Sequence, residues 1–216
     1  MNTDNRTPFV LGVTGHRAIR PQDLDALTST VKNVMQTLQN VCPYAPIVLL
    51  SSLAEGADLL CADVAEELGI PIVAVLPREQ ADYAQDFSET ARMRFLHHCS
   101  RAEKVFVTPN VEAVPAQGID RDYQFRQAGI FVAAHCHVLL ALWDGGPGTV
   151  AACGTAEAVD FALHHNYYPA NGHIPQERNT IVVHVFTPRG NRVDSNAGTV
   201  RVLGDKCSLL NALSNN

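Results

Sequence analysis

The chain has 216 residues, 46% of them hydrophobic and 18% charged, with a formal charge of −6 at pH 7. That is enough for one well-buried core and is ordinary globular composition, so a single domain is expected. The acidic balance argues against an extended nucleic-acid contact, which normally draws on surplus Lys and Arg. Six cysteines are scattered without a CxxC pair, and no secretory apolar stretch follows Met1. The longest apolar run, from Ile130 to Trp143, is too short to span a bilayer and is interrupted by His135 and His137. Reduced thiols in a cytoplasm are the expectation.

Along the chain, short β-branched runs alternate with amphipathic segments, the pattern of βαβ units in a largely parallel sheet. "FVLGV" (9–13) reads as the first strand. Behind Pro21, a residue suited to a first helical turn, Leu24, Leu27, Val31, Val34, Met35 and Leu38 recur at threes and fours and predict a helix with one face on the sheet. Further strands are predicted at 47–51, 71–76, 104–108, 137–143 and 180–186, with helices at about 55–68, 86–100, 120–135 and 155–165. The strand runs are nearly all apolar, as expected of strands covered on both faces. The fold class that follows is α/β: a three-layer α/β/α Rossmann-like domain over 8–187, with a mostly parallel sheet of about six or seven strands. After Thr187 the rhythm stops, and 188–216 reads as an edge hairpin, a linker or a tail.

In a doubly wound sheet the ligand crevice lies beyond the carboxyl ends of the strands. Four loops there are distinctive. "GVTGHR" carries Gly12, Thr14, Gly15, His16 and Arg17; "SSLAEGAD" carries Ser51, Ser52, Glu55, Gly56 and Asp58; "LPRE" carries Pro77. The fourth, "WDGGPG" running to "GTAEAV", carries Trp143, Asp144, Gly145, Gly146 and Gly148, then Gly154, Thr155 and Glu157. Glycines let a backbone approach a phosphate or ribose closely, and a helix start at Gly154-Thr155 offers free N–H groups and a hydroxyl to an anion. Each loop alone also reads as a tight turn; their convergence on one rim is what points to a ligand.

These motifs, "VTGHR", "LSSLAEGAD", "GIPIVAVLP" and "LLALWDGG…GTAEAV", resemble in order and spacing the SLOG superfamily over roughly residues 8 to 187. That superfamily groups the DNA-processing protein A domain, the Lonely Guy phosphoribohydrolases once called lysine decarboxylases, and nucleotide sensors of bacterial conflict systems. The sensor branch is the nearest: Trp143-Asp144-Gly145 after the fifth strand and Gly154-Thr155-Ala156-Glu157 at the next helix match its pattern. The hydrolase motif is interrupted, with Asp144 where a proline would stand and Ala152 where an acid would follow. The resemblance implies binding of a nucleotide or nucleotide-derived ligand, without a further cofactor. It also implies a homodimer, and an effector or membrane module beside such a domain in longer proteins, so this chain is expected to be a stand-alone sensor or a fragment.

Two alternatives follow from the same resemblance. One is a nucleoside 5'-monophosphate phosphoribohydrolase with Glu157 assisting the attack of water and Arg17 or Arg126 holding the phosphate; the other is single-stranded DNA binding. From the residues alone, Arg17 reads as a phosphate fork or a loop anchor, Asp58 as a helix cap, and Arg126 as an exposed helix arginine. The pairs His97-His98, His135 with His137, and His164-His165 are expected to diverge and to lack a third ligand, so no metal site is expected.

Overall fold

A computed structural model describes residues 6–108, 121–147, 154–164, 180–190 and 196–204. Gly148, Ala152 and His165, singled out above, and two of the six cysteines, Cys153 and Cys207, lie outside the described residues. Among the described residues, two short 3-10 turns aside, the elements in chain order are β1 (Phe9–Gly15), α1 (Leu24–Val41), β2 (Ile47–Ser51), α2 (Ala57–Glu67), β3 (Ile72–Leu76), α3 (Gln80–Tyr83), α4 (Glu89–Arg101), β4 (Lys104–Val107), α5 (Arg121–Ala134), β5 (Val138–Trp143), α6 (Thr155–His164), β6 (Ile181–Phe186) and β7 (Val200–Leu203).

The strands form one sheet in the order β4-β3-β2-β1-β5-β6-β7. β1 to β6 are parallel, and β7 runs antiparallel to β6, Val182 opposite Leu203 and Val185 opposite Val200. Apolar side chains pack the sheet on both faces. One cluster joins Leu11, Leu49 and Leu76 to Leu27, Val31 and Met35 of α1, Leu59 of α2 and Phe95 of α4. The other joins Leu139, Ala141 and Val182 to Val132 and Ala133 of α5 and Phe161 of α6. Helices therefore cover both faces, and the domain is a three-layer α/β/α sandwich of Rossmann-like architecture. No helix among the described residues is long and apolar enough to cross a membrane.

One element departs from the sequence expectation. β4 is not covered on both faces: all four of its residues are exposed, Phe106 at 47%, because it is an edge strand. The segment after Thr187 contributes the opposite edge through β7, so it shares the sheet. Cys42, Cys61, Cys99 and Cys136 are free thiols.

The chain leaves β1 toward β2 on one side and, after β4, crosses to β5 on the other. The strand order thus reverses between β1 and β5. In open α/β sheets ligands are bound outside the carboxyl ends of the strands at such a switch point.

Candidate functional site

A cavity of about 630 Å³ opens at that switch point. The β1 end supplies Val13, Thr14, Gly15, His16 and Arg17, the β2–α2 loop Ser52, Ala54 and Asp58, and the start of the β3–α3 loop Pro77. Gly154, Thr155 and Glu157 at the start of α6 form another wall, Phe125, Arg126 and Gly129 of α5 a third, and Arg189 and Gly190 after β6 the rim. Thr14, Ser52 and Gly154, from three separate loops, therefore share one crevice.

The remaining candidates support the walls without lining them. Ser51 is buried; its Oγ donates to Asp58 Oδ2 at 3.0 Å and accepts the Leu53 N–H at 3.0 Å, which folds the β2–α2 loop back on itself. Leu53 pays for that fold with a left-handed backbone, φ 53°, offset by complete burial of its side chain. Glu55 points away from the cavity and accepts from Ser88 N and Oγ at the start of α4, at 3.2 and 2.6 Å. Gly12 lies inside β1, where a Cβ would come within 2.8 Å of Cys136, so its small size serves the packing of α5.

Gly15 and Gly56 lie against protein as well. A Cβ on Gly15 would meet Ala57 Cβ at 2.4 Å, and one on Gly56 would meet the carbonyl oxygens of Arg17 and His16 at 2.2 and 2.4 Å. Gly56 also holds φ +93°, a conformation L side chains rarely adopt. These two glycines clamp the β1 loop onto the start of α2, and the clamp brings His16 O to the Ala57 N–H at 3.0 Å.

Three loops are tied together at one histidine. His16 is 3% exposed, and its Nε2 accepts the Asp144 N–H at 3.0 Å. The Arg189 guanidinium lies against the same ring, its Nε donating to Nε2 at 3.0 Å. Asp144 in turn accepts the Gly146 N–H at 3.1 Å and lies 3.7 Å from Arg189 Nε. Burial, and then the Arg189 charge, push the His16 pKa from 6.5 down to about 4, against the opposing pull of Asp144. Trp143, at the end of β5, packs its ring on His184, whose Nε2 donates to the Trp143 carbonyl at 2.9 Å. Gly145 follows with φ +75°. The "WDGG" turn is thus a brace between β1, β5 and β6.

Asp58 is fully buried at the cavity floor. Burial raises its carboxyl from 3.8 to about 6, although Ser51, the N–H groups of Ala54 and Ser52 and the charge of Arg17 all pull the other way. The helix-capping role read from the sequence is not seen: α2 starts after Gly56 without a side-chain cap, and Asp58, inside its first turn, ties down the preceding loop instead. Arg17 donates to the Asp86 carbonyl at 3.2 Å, and its guanidinium carbon stands 5.9 Å from the ring centres of both Phe87 and Phe125. Arg126 is not the exposed helix arginine expected from the sequence. It is half-buried, and its Nε lies 2.8 Å from Glu157 Oε1 and 3.0 Å from Oε2 across α5 and α6.

Sequence reasoning passed over Tyr83, Phe125 and Arg189. Tyr83 and Phe125 carry no local motif and reach the cavity through an aromatic cluster with Phe87 and Phe95. Arg189 was within reach: the rule that residues just after each strand face the crevice applies to β6 as it does to β1.

No protein-family model and no curated protein matches the sequence. Among solved structures, the chain is similar to DNA processing protein A from Streptococcus pneumoniae, at 18% identity over 71% of this chain and 47% of that one, TM-score 0.46. The chain thus spans about half the length of that relative. It is also similar to DNA processing protein A from Helicobacter pylori, whose single-stranded DNA binding mode has been described, at 15% identity over 76% of this chain and 68% of that one, TM-score 0.47. The molybdenum cofactor carrier protein from Chlamydomonas reinhardtii is more distant, at 17% identity over 63% and 61%, TM-score 0.35.

Proposed function

We propose that the switch-point cavity binds a nucleotide or nucleotide-derived small molecule as a sensor, without transforming it. The observation that carries this reading is the convergence of the Thr14–Arg17 turn, Ser52 and the Gly154-Thr155 helix start on one cavity of about 630 Å³. That volume is in the range of small-ligand sites. A helix N-terminus with a hydroxyl beside it suits a phosphate, and Arg126 and Arg189 add positive charge on two sides. Glu157 supplies an acceptor for a ribose hydroxyl or base edge. The sensor setting, a homodimer and an effector module in a longer protein remain parts of this proposal through the superfamily resemblance.

The test is a thermal-shift screen with nucleotides, dinucleotides and cyclic nucleotides. A ligand at 100 times its dissociation constant should add about 2.7 kcal/mol of stability. Gly154→Val should abolish that shift while leaving the unliganded melting temperature in place. A screen without any shift, or a shift unchanged in Gly154→Val, overturns the reading. Oligonucleotides belong in the same screen: tight binding of single-stranded DNA that falls steeply with salt would replace the small ligand by a strand.

A second reading, the phosphoribohydrolase, is favoured by one observation, the Arg126–Glu157 contact at the cavity wall. It holds a carboxylate in a fixed orientation beside the ligand space, as cleavage of an N-glycosidic bond would need. We expect no ribose 5-phosphate from AMP above a protein-free control, and Glu157→Gln to weaken ligand binding by about 1–3 kcal/mol. Steady multiple turnover that vanishes in Glu157→Gln would establish the hydrolase instead.

A further inference from the structure

Where α2 packs against α4, Glu66, His97 and His98 each bring a ligand atom to within 4.8 Å of the others. The expectation that adjacent histidines on a helix diverge fails here: the two rings stand 5.2 Å apart, edge to face, and both reach Glu66. His97 Nε2 is 2.9 Å and His98 Nδ1 3.8 Å from the same oxygen, Glu66 Oε2. Ligands around a tetrahedral ion with bonds of about 2.0–2.1 Å stand roughly 3.3–3.4 Å apart. The two distances bracket that spacing. None of these three residues lines the cavity described above.

His98 supplies an independent observation. It is 2% exposed, and its Nε2 is 2.7 Å from Asp63 Oδ1. The hydrogen bond to Asp63 occupies Nε2 and turns Nδ1 toward the cluster. Nδ1 faces Glu66 Oε2 across 3.8 Å, beyond hydrogen-bond reach. A buried histidine oriented by a carboxylate through one nitrogen, with the other nitrogen open toward a cluster, is the arrangement of a metal-binding imidazole. The neighbouring arginines leave these atoms available. Arg101 Nε lies 2.6 Å from Glu66 Oε1, and Arg94 pairs with Asp63 Oδ2. Arg94 takes the Asp63 oxygen that His98 does not use, while Arg101 shares Glu66 Oε1 with His97 Nε2, 3.0 Å away, so Glu66 Oε2 is the oxygen common to both histidines.

We propose that Glu66, His97 and His98 bind one divalent transition-metal ion of the zinc class per chain, with water completing its coordination and Asp63 orienting His98. Two imidazole nitrogens and one carboxylate oxygen suit Zn²⁺ over Mg²⁺ or Ca²⁺, which take oxygen ligands. The ion staples the last turn of α2 to α4. Two arginines beside two carboxylates cancel the local negative charge, so the affinity is moderate.

The experiment is titration of the chelator-stripped protein with Zn²⁺ against a chromophoric competitor, alongside the visible absorption of Co²⁺. One ion per chain is expected, with a cobalt spectrum of low coordination number, and an excess of Mg²⁺ should leave both unchanged. His97 is half exposed, so His97→Ala is expected to fold as the parent does and to lose the site; Glu66→Gln should behave likewise. Asp63→Asn should weaken binding about 10- to 100-fold with the ligands intact. Circular dichroism of each variant separates a lost site from a lost fold. Absence of Zn²⁺ binding by the parent protein, or binding unchanged in folded His97→Ala and Glu66→Gln, overturns the proposal.

Discussion

Gly56 shows how a residue read as part of a ligand loop earns its place by contact with protein. Its backbone has φ +93°, and a Cβ would press on two carbonyl oxygens of the β1 turn that cannot withdraw without opening the turn. Gly56→Ala is therefore expected to cost about 3 kcal/mol or more, the sum of backbone strain and a forced shift, read as the change in denaturation midpoint. An ordinary exposed Gly→Ala loss of a few tenths would show that the turn gives way easily. The glycine spacing was legible in the sequence. What it meant was not, because a loop that passes under a phosphate and a loop pressed against a neighbouring loop call for the same residue. Arg126 was misread for a related reason: its partner Glu157 is 31 residues away, and only the packing of α5 on α6 brings them together.

At the scale of the elements, six strands were legible because each is a short, nearly continuous apolar run, and five of them lie inside the sheet. β7 was not. Its sequence, "VRVL", is four residues within a polar stretch, and its strand character comes from β6, whose free edge it pairs. Arg189, in the link between β6 and β7, also donates through Nε to His16 Nε2. Ending the chain after Gly190 should therefore leave β6 as a bare edge, lower the melting temperature and promote self-association with rising concentration, visible by size-exclusion chromatography. A monomer of parental stability would show that β7 is dispensable.

For the whole molecule, two buried groups set opposite slopes of stability against pH. His16 falls from 6.5 to about 4 in the folded protein, so the unfolded chain alone takes up its proton and stability is lost as pH drops from about 6.5 to 4. Asp58 rises from 3.8 to about 6, so the folded protein alone keeps its proton and stability is lost as pH climbs through that window. Each shift corresponds to roughly 3 kcal/mol, and they act over nearly the same range. At pH 5 unfolding moves one proton from a carboxyl to an imidazole, so the contributions of these two groups nearly cancel; the downward-shifted carboxyls of Asp63, Glu66 and Asp144 add a loss of stability toward pH 4. Asp58→Asn removes one slope: denaturation curves between pH 4 and 6.5 should then show stability rising with pH by about 3 kcal/mol. A flat profile in that variant would mean that His16 titrates normally.

The contact between Arg126 and Glu157 has a counterpart in time. Two groups that hold each other in the free protein form a latch, and a ligand that recruits either one has to wait for it to open. In stopped-flow mixing the observed association rate should climb with ligand concentration and then level off at the opening rate of the latch. Arg126→Ala, with nothing left to part, should remove the plateau.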